Sequence, residues 1–564
     1  MEKLKEYYDV LIIGGGINGA GIALDAVLRG YSVLLLEKND FGGFTTSGST
    51  KLIHGGLRYL EYMEFSLVRE SLREREILLQ NAPHLVKPLQ IDFPLYSHSE
   101  RGPLMIKMGM ILYDLLSYDK SMPNHKVLFT KEGYGLPKTL KSLQTKGLKG
   151  VASYYDCQIQ YPERLCLDTI LAAEENGADV LNYSQFLGMK WEDDFYSIKF
   201  NKLNNSTEYS TKAKYIVNAT GPFVDEVNKV ISDNIPRLMG GTKGSHILIR
   251  KFEGGPENGL YIESIQDGRP FFIIPWDDYY LVGTTDIFYK NTLDRITASE
   301  EEINYLLKEL NYFMDTKTFS REDILYTYSG IRPLPFEPDK SEKKVTRKHI
   351  IHDHEDEGFK NYYSIVGGKL TTFRSLAEDT MDYIDKKNGS QNKCRTKDFK
   401  FIKEQNGTII YELLSEKYEI DVDTITFLNN YYGDKFIEIL KLTDEDKSLK
   451  EKISPDHIDI KAQIVYAIKN EKAKTLKDII LRRSSIGTHE DLGYNSAENI
   501  AEIASFILNW SRERKEEEIT TFKESIHYYY NINSNFIYKE RDVNVNAWSK
   551  KYDSPLFSNI PRYL

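Results

Sequence analysis

The segment "YDVLIIGGGINGAGIALDAVLRGYSVLLLE", residues 8–37, is the feature that most constrains the fold of this chain. Apolar runs at residues 8–13 and 31–37 enclose a stretch in which apolar residues recur at helical spacing. Short apolar runs without polar alternation are typical of strands that are buried on both faces of a parallel sheet. The segment therefore predicts a strand–helix–strand unit, and with it a parallel sheet covered by helices.

Glycines in the first turn of this unit have the spacing G-x-G-x-x-G, at Gly14, Gly16 and Gly19. In such a turn the first glycine permits the tight bend, the second lets the backbone approach a pyrophosphate, and the third lets the helix pack closely on the strand. The N–H groups and the dipole of the helix N-terminus favour the same anion. Glu37 ends the second strand, where a carboxylate can accept hydrogen bonds from ribose hydroxyls and would repel a 2′-phosphate. These residues predict a site for FAD or NAD rather than NADP.

Two further glycine segments favour FAD over NAD. "VNATGPF", residues 217–223, ends a strand with small residues, so that the backbone there can pass close to a dinucleotide. "VGGKLTTFRSLAED", residues 366–379, predicts a strand, a glycine pair and a helix whose N-terminus can face the pyrimidine edge of a reduced flavin. A flavin reductase that also bound NAD would carry a second dinucleotide fingerprint, and the sequence contains none. Three separated glycine segments fit one extended FAD better than a compact NAD site.

Charge and composition exclude several classes of protein. The net charge of −10 argues against a general nucleic-acid binder and against purely electrostatic adhesion to an anionic membrane. The three cysteines form no CxxC motif and no zinc-binding pattern, so we predict neither a disulfide scaffold nor a metal site. No signal peptide and no membrane-spanning run is predicted, and we therefore expect a cytoplasmic protein.

The predicted fold class is α/β, with a Rossmann-like FAD-binding domain, an inserted antiparallel-sheet substrate domain and a C-terminal α-helical domain. At 564 residues the chain is long enough for two or three domains. Short strand-like runs dominate the middle of the chain, a polar linker is predicted at residues 385–398, and mostly helical periodicity follows. The predicted boundaries are 1–90, 150–225 and 350–385 for the FAD-binding domain, 91–149 and 226–349 for the substrate domain, and 400–564 for the helical domain.

An unusual mixture of residues follows the first unit, in "STKLIHGGLRYLEYMEF" at residues 49–65. His54, Arg58 and Tyr59 lie there beside two glycines, and hydrophobic periodicity does not require such a mixture. Arg332 stands beside a proline and Lys369 beside a glycine pair. Singly, each cation is most simply a surface residue.

The motifs resemble those of the FAD-dependent glycerol-3-phosphate dehydrogenases, within the D-amino-acid-oxidase-like flavoproteins. The resemblance is carried by "GGGINGAGIALDA", "STKLIHGGLRYLEYMEFSLVRESLREREILL", "NATGPFVDEV", "KGSHILI", "IIPW", "VGTTD", "YSGIRPLP" and "VGGKLTTFRSLAE". It runs in order to about residue 380 and continues weakly beyond. It implies oxidation of sn-glycerol 3-phosphate to dihydroxyacetone phosphate, with hydride passing to N5 of FAD.

Carried over residue by residue, the resemblance assigns the site. Arg58, Tyr59, Lys369 and Arg332 are implied as substrate-binding residues, with Arg332 also beside the catalytic base. The three cations together then form a set that suits a small dianion, because a guanidinium offers phosphate bidentate, charge-assisted donors. His246 and His54 are both candidates for that base, because imidazole titrates near neutral pH, and the resemblance favours His246 slightly. The implied cofactor contacts are Gly14, Gly16, Asn18, Gly19, Glu37, Thr46, Ser49, Lys51, Leu52, Ile53, Val180, Ala219, Gly221, Gly368, Leu370 and Thr371.

The electron acceptor stays open at this stage, between a membrane quinone and oxygen with release of peroxide. The resemblance implies that oxidases of the family often carry an insertion in the middle of the chain, and the lack of an obvious one here favours the quinone-reducing dehydrogenase. The amphipathic helix predicted at residues 103–116 then offers a peripheral contact with the inner face of the cell membrane. A homodimer is also kept open. An amine or amino-acid flavin oxidase and a non-catalytic flavin-binding protein are the alternatives from other classes.

Overall fold

The computed structural model describes residues 4–99, 101–131, 133–203, 207–293, 296–337, 346–402 and 410–533. Within these residues the chain forms two large sheets and fourteen α-helices. The strands, in chain order, are β1 Tyr7–Ile13, β2 Val33–Leu36, β3 Leu52–Ile53, β4 Val86–Tyr96, β5 Lys126–Phe129, β6 Leu148–Ile159, β7 Asp179–Leu181, β8 Ser184–Glu192, β9 Phe195–Lys202, β10 Thr207–Asn218, β11 Thr242–Arg250, β12 Gly259–Glu263, β13 Pro270–Trp276, β14 Tyr279–Gly283, β15 Ile287–Phe288, β16 Ile324–Arg332, β17 Ile350–Asp353 and β18 Tyr362–Val366.

The helices, in chain order, are α1 Ile17–Leu28, α2 Phe65–Asn81, α3 Pro103–Leu116, α4 Pro162–Glu175, α5 Val224–Ile231, α6 Glu300–Phe313, α7 Phe373–Asn388, α8 Tyr411–Tyr418, α9 Val422–Tyr432, α10 Phe436–Glu445, α11 Lys461–Asn470, α12 Leu476–Arg482, α13 Ala497–Leu508 and α14 Arg512–Tyr530. This architecture agrees with the fold class predicted from the sequence.

The first sheet has the strand order β17-β18-β10-β1-β2-β7, with the β8–β9 hairpin attached to β10. Its central strands are parallel, and Ile13 of β1 is in register with Leu36 of β2 and with Asn218 of β10. The strands β1 and β2 are buried along nearly their whole length, as their apolar runs predict. Because the register aligns the carboxyl ends, the segments that follow these three strands meet at one edge of the sheet.

Helices α1, α4 and α7 pack together against this sheet. Arg29, directly after α1, forms ion pairs with Asp25 of α1 and with Asp382 and Asp385 of α7. The predicted linker at residues 385–398 is therefore wrong at its start, because Asp385 still belongs to α7 and is held by a buried arginine.

The second sheet has the order β15-β11-β14-β13-β12-β4-β6-β3, with β16 on β11 and β5 on β6. Its pairs are antiparallel apart from β4 with β12, which suits the turn-rich middle of the sequence. The second sheet also contains the strands Leu52–Ile53 and Leu148–Ile159. The predicted boundaries assign most of these residues to the FAD-binding domain. The domain boundaries themselves stay a prediction.

Helix α3 has the bounds that the sequence predicts, but its apolar residues face two ways. Ile106, Met110 and Tyr113 are buried against the second sheet and α2. An outward face, here called the α3 apolar face, exposes Leu104, Met105, Met108, Ile111 and Leu115. None of the described helices is long and apolar enough to cross a membrane.

Helices α8–α14 form a C-terminal helical unit whose apolar core, which includes Phe436 and Ile479, continues into the second sheet at Trp276. The unit is joined to the first sheet through Asp40, whose carboxylate pairs with Arg482 and Arg483. The two guanidinium groups hold the pKa of Asp40 well below its usual range despite its burial. Residues 403–409 and 534–564 of the predicted helical domain lie outside the described residues.

Candidate active site

A cavity of about 810 Å³ lies between the two sheets. One wall consists of the segments after β1, β2 and β10 at the carboxyl edge of the first sheet. The opposite wall carries side chains from β11, β12, β13 and β16 of the second sheet. The carboxyl edge of a parallel sheet is where α/β folds bind their ligands.

The glycine turn has the geometry that a pyrophosphate requires. Gly14 has φ +107°, and a Cβ there would lie 2.8 Å from the carbonyl oxygen of Ala219. A Cβ on Gly19 would lie 1.9 Å from the carbonyl oxygen of Gly14, so this glycine is needed for packing. At Gly16 a Cβ would approach only Thr46 Oγ1, at 3.6 Å. The protein leaves space at Gly16 that its own atoms do not fill.

Glu37 is fixed at the cavity wall by backbone donors. Its Oε2 accepts a hydrogen bond from Gly15 N at 2.7 Å, and its Oε1 accepts one from Asn39 N at 2.7 Å. Burial raises the pKa of this carboxyl. A carboxylate has about four lone-pair sites, so both oxygens keep acceptor capacity for ribose hydroxyls.

Asn18 is a second indication of a ligand on this wall. Its side chain lies at the start of α1, where Nδ2 donates to the Gly367 carbonyl oxygen at 3.5 Å. Its Oδ1 is buried and has no hydrogen-bond partner among the described residues. Gly367 and Gly368, with φ of +86° and +94°, bring the backbone close to this amide. A buried acceptor without a partner beside a glycine pair fits a bound group that supplies a donor.

Most of the predicted cofactor residues line this cavity, and four do not. Those on the wall are Gly14, Gly16, Asn18, Glu37, Thr46, Ser49, Leu52, Ala219, Gly221, Gly368, Leu370 and Thr371. Gly19 instead serves helix packing, while Ile53 and Val180 are buried in β3 and β7. Lys51 also lies behind the wall, with Nζ 4.6 Å from the ring centroid of Trp276 and 4.0 Å from Glu163.

The predicted substrate residues Arg58, Tyr59, Lys369 and Arg332 line the same cavity. Nη2 of Arg58 donates to the Tyr62 hydroxyl at 3.2 Å, while its Nε is buried without a partner in the described part of the chain. Nζ of Lys369 lies 4.2 Å from the ring centroid of Tyr59 and donates to Ser71 Oγ at 3.0 Å. Burial lowers the pKa of Lys369 to about 7.

Arg332 belongs to a group of charges that the sequence did not reveal. Its Nη1 donates to Asp286 Oδ1 at 2.9 Å, and Arg347 Nη2 lies 3.4 Å from Asp286 Oδ2. Arg269 donates to the backbone oxygen of Asp286, and all four residues line the cavity. A signal for Arg269 exists, since it precedes a proline just as Arg332 does. Asp286 closes the motif "VGTTD", whereas Arg347 has no distinctive neighbours.

The two candidate bases occupy different places on the wall. The ring of His246, in β11, stacks on Tyr328 of β16 with centroids 4.7 Å apart, and its Nε2 lies 3.1 Å from Thr50 Oγ1. Burial and the nearby Arg332 lower the pKa of His246 to about 3. His54 is half-buried, with its ring edge-on to Phe272 and its backbone N–H donated to Thr371 Oγ1. Burial lowers the pKa of His54 as well.

Comparison with known proteins identifies the family. The model of the FAD-dependent oxidoreductase family matches residues 9–374, and that of the C-terminal domain of alpha-glycerophosphate oxidase matches residues 394–515. The glycerol-3-phosphate dehydrogenase of Synechocystis sp. is 42% identical over 532 residues, which cover 92% of this chain and 96% of that protein. This chain belongs to the FAD-dependent glycerol-3-phosphate dehydrogenase family. It is therefore a flavoprotein oxidoreductase, and its cofactor is FAD.

Other members of the glycerol-3-phosphate dehydrogenase family agree in sequence and in fold. The aerobic enzyme of Escherichia coli is 39% identical over 384 residues, which cover 67% of this chain and 74% of that protein. The solved glycerol-3-phosphate dehydrogenase of Bacillus halodurans, complexed with FAD, superposes with a TM-score of 0.73. At 24% identity it covers 93% of this chain and 95% of its own, and it shows that the fold is shared.

The described residues fit FAD on the cavity wall that the segments after β1, β2 and β10 form. The open space at Gly16, the acceptor of Asn18 without a partner and the carboxylate of Glu37 supply a pyrophosphate approach, a polar contact and a ribose acceptor. The predicted contacts that line the cavity continue from this wall to His246 and the cations. One extended cofactor can therefore reach from the glycine turn to the charged end of the cavity.

Proposed function

We propose that this enzyme oxidises sn-glycerol 3-phosphate to dihydroxyacetone phosphate. The observation that carries the proposal is the gathering of Arg58, Arg332 and Lys369 on the wall of the cavity whose other end fits FAD. Proteins named glycerol-3-phosphate dehydrogenase that match more than nine-tenths of the chain support the same substrate. FAD, when bound, accepts the hydride that leaves C2 of the substrate.

In this proposal the cations hold the substrate phosphate. Arg58 offers a buried Nε without a partner among the described residues, and a planar guanidinium suits a phosphate oxygen pair. Lys369 adds a point charge, fixed between Ser71 and the face of Tyr59. Arg332 is shared with Asp286, so it brings less net charge and serves chiefly to orient the substrate beside His246.

His246 is the proposed general base for the C2 hydroxyl. Its low pKa keeps the ring neutral at physiological pH, so that a lone pair is available. The charge of Arg332 is one cause of that low pKa, and a substrate dianion beside Arg332 would offset it. Substrate binding is thus expected to raise the basicity of His246 when a base is needed. His54 remains the second candidate, since it lines the same cavity.

We further propose that a membrane quinone is the electron acceptor, with oxygen as the alternative. The α3 apolar face supports this choice, because it exposes five large apolar side chains on one helix. Such a face suits shallow insertion at a membrane interface, driven by buried apolar area rather than by lipid charge. A protein with net charge −10 would gain little from anionic lipids. The proposed location is cytoplasmic, peripheral on the inner face of the cell membrane, and a homodimer stays a prediction.

The decisive experiment is anaerobic reduction of the bound flavin, followed by absorbance. We expect glycerol 3-phosphate to bleach the flavin, whereas glycerol and amino acids leave it oxidised. The reduced enzyme is then mixed with a quinone analogue or with oxygen. Fast re-oxidation by the quinone alone supports the proposal. Stoichiometric peroxide would make the enzyme an oxidase, and bleaching by an amino acid would overturn the substrate assignment.

A further inference from the structure

We propose that His352, His354 and Glu357 form a binding site for a divalent metal ion of the zinc type. His352 lies in β17, and His354 and Glu357 lie in the turn that leads to β18. One ligand atom from each side chain, two imidazole nitrogens and a carboxylate oxygen, lies within 4.8 Å of the others. The three residues lie on the outer edge of the first sheet and are absent from the wall of the FAD cavity.

The two ring nitrogens of His354 have different surroundings. Nε2 lies 2.7 Å from Ser364 Oγ, within hydrogen-bond distance. Nδ1 is buried and has no hydrogen-bond partner among the described residues. The contact with Ser364, together with stacking of the ring on Tyr362 at a centroid distance of 4.4 Å, holds Nδ1 toward Glu357.

Nδ1 of His354 faces a carboxylate oxygen of Glu357. Nδ1 of His354 and Oε2 of Glu357 are 3.6 Å apart, and both are buried without a hydrogen-bond partner in the described ranges. His354 itself is fully buried. With the ring proton on Nε2, both atoms offer a lone pair to a cation between them. A fully buried ring nitrogen that lacks a partner is the independent sign that the cluster takes a ligand.

The spacing and the ligand types suit zinc. Oε1 of Glu357 lies 3.0 Å from His352 Nε2, so the carboxylate is adjacent to both imidazoles. Ligands at about 2.0–2.2 Å from a tetrahedral ion are themselves roughly 3.3–3.6 Å apart, and the three ligand atoms, all within 4.8 Å of one another, need only a small approach to reach that spacing. Two imidazoles and one carboxylate leave the fourth position for water. The predicted absence of metal rests on cysteine patterns, and this site contains no cysteine.

Residues around the ligands support the same assignment. In the metal-bound form Nε2 of His354 would carry the ring proton and donate it to Ser364 Oγ, as metal-binding histidines do to their outer partners. Exposed Glu355 and Asp356 add negative charge that attracts a cation, although Lys387 pairs with Glu355. Bound metal would link β17 to the turn before β18. We therefore expect it to stabilise the edge of the FAD-binding sheet and not to take part in oxidation.

The test is calorimetric titration of chelator-treated, FAD-loaded full-length enzyme with Zn²⁺ alone. We expect one site per chain. Glu357→Gln keeps the shape of the side chain but removes its charge, and it should weaken binding at least tenfold, as should His352→Asn at a half-exposed position. His349→Gln is the matched control, because His349 faces the single carboxylate of Asp379 at 2.9 Å and should leave Zn²⁺ binding unchanged.

Two further readouts keep the proposal falsifiable. Zn²⁺ should raise the melting temperature of the wild type and of His349→Gln, but not that of Glu357→Gln or His352→Asn. If Glu357→Gln fails to fold, His352→Asn alone decides. A wild type that takes up no Zn²⁺, or variants that bind it as tightly as the wild type, would overturn the site.

Discussion

His246 presents Nε2 to the Thr50 hydroxyl at 3.1 Å, while its Nδ1 is buried and has no partner in the part of the chain that the structure describes. Thr50 lies between the predicted cofactor contacts Ser49 and Lys51, and His246 lies on the facing sheet. One contact thus joins the two walls of the cavity at the proposed base. The hydroxyl orients the ring, because stacking on Tyr328 alone would allow the imidazole to flip.

The first prediction concerns the base itself. His246→Asn should lower kcat/KM by about 10²–10⁴-fold, which is the usual contribution of general acid–base catalysis. FAD content should stay normal, because the residue lies across the cavity from the glycine turn. Steady-state kinetics with glycerol 3-phosphate measure the effect, and His54→Asn is the matched variant. A large loss in His54→Asn with a small one in His246→Asn would transfer the role to His54.

Arg58 should be sensitive even to lysine. Arg58→Lys keeps the charge but loses the planar fork, and we expect a loss of transition-state stabilisation on the order of 2–5 kcal/mol with normal flavin content. The quantity measured is kcat/KM, converted to free energy. Arg73→Lys, at an exposed arginine of the nearby helix α2, should change nothing. If Arg58→Lys were as active as Arg73→Lys, Arg58 would not bind the substrate phosphate.

The pH profile should carry the signature of Lys369. Its pKa is lowered to about 7 by burial, and the ammonium that binds phosphate exists only below that pKa. We therefore expect kcat/KM to fall as the pH rises through about 7, since this parameter reports the free enzyme. Lys369→Arg stays charged at all accessible pH values and should abolish that falling limb, whatever its absolute rate. Persistence of the limb in Lys369→Arg would assign it to another group.

Gly16 and Gly19 should respond differently to the same small change. At Gly16 the protein has room for a methyl group, so Gly16→Ala should fold yet lose FAD, because the methyl occupies the space of the pyrophosphate. At Gly19 a methyl would collide with the Gly14 carbonyl, and Gly19→Ala should be unstable with or without added FAD. Flavin absorbance and the melting temperature of the apoprotein separate the cases. A yellow Gly16→Ala protein would contradict the proposed pyrophosphate position.

The sequence predicts the fold class well because apolar runs and glycine turns are local signals. The strand β1, the helix α1 and both ends of α3 follow from such patterns. The end of α7 does not follow from a local pattern. Asp385 belongs to this helix and pairs with Arg29, a residue 356 positions away. Interactions between distant segments have no local signature in a single chain.

The same reason explains what the sequence reveals of the site. Motif residues such as Arg58 and Lys369 can be predicted, since each lies beside a glycine element. Arg347 and Asp286 reach the cavity only through the pairing of strands and loops that are far apart in sequence. The cluster of His352, His354 and Glu357 is close in sequence, yet the burial that leaves His354 Nδ1 without a partner among the described residues depends on packing against Tyr362. Such burial exists only in the folded state.

The last prediction joins the α3 apolar face to the electron acceptor. Met108 is 64% exposed, so Met108→Glu should leave folding and FAD content unchanged while it weakens binding to lipid vesicles. Lys107→Gln, at the exposed polar neighbour, is the control and should bind vesicles like the wild type. Sedimentation with vesicles measures binding, and high salt should not release the wild-type enzyme, whereas mild detergent should. A membrane quinone is reached only from the lipid surface. Met108→Glu should therefore reduce a membrane-embedded quinone more slowly than the wild type does, while the two proteins reduce a water-soluble analogue at equal rates. Equal rates with both acceptors would show that α3 does not direct the enzyme to its acceptor.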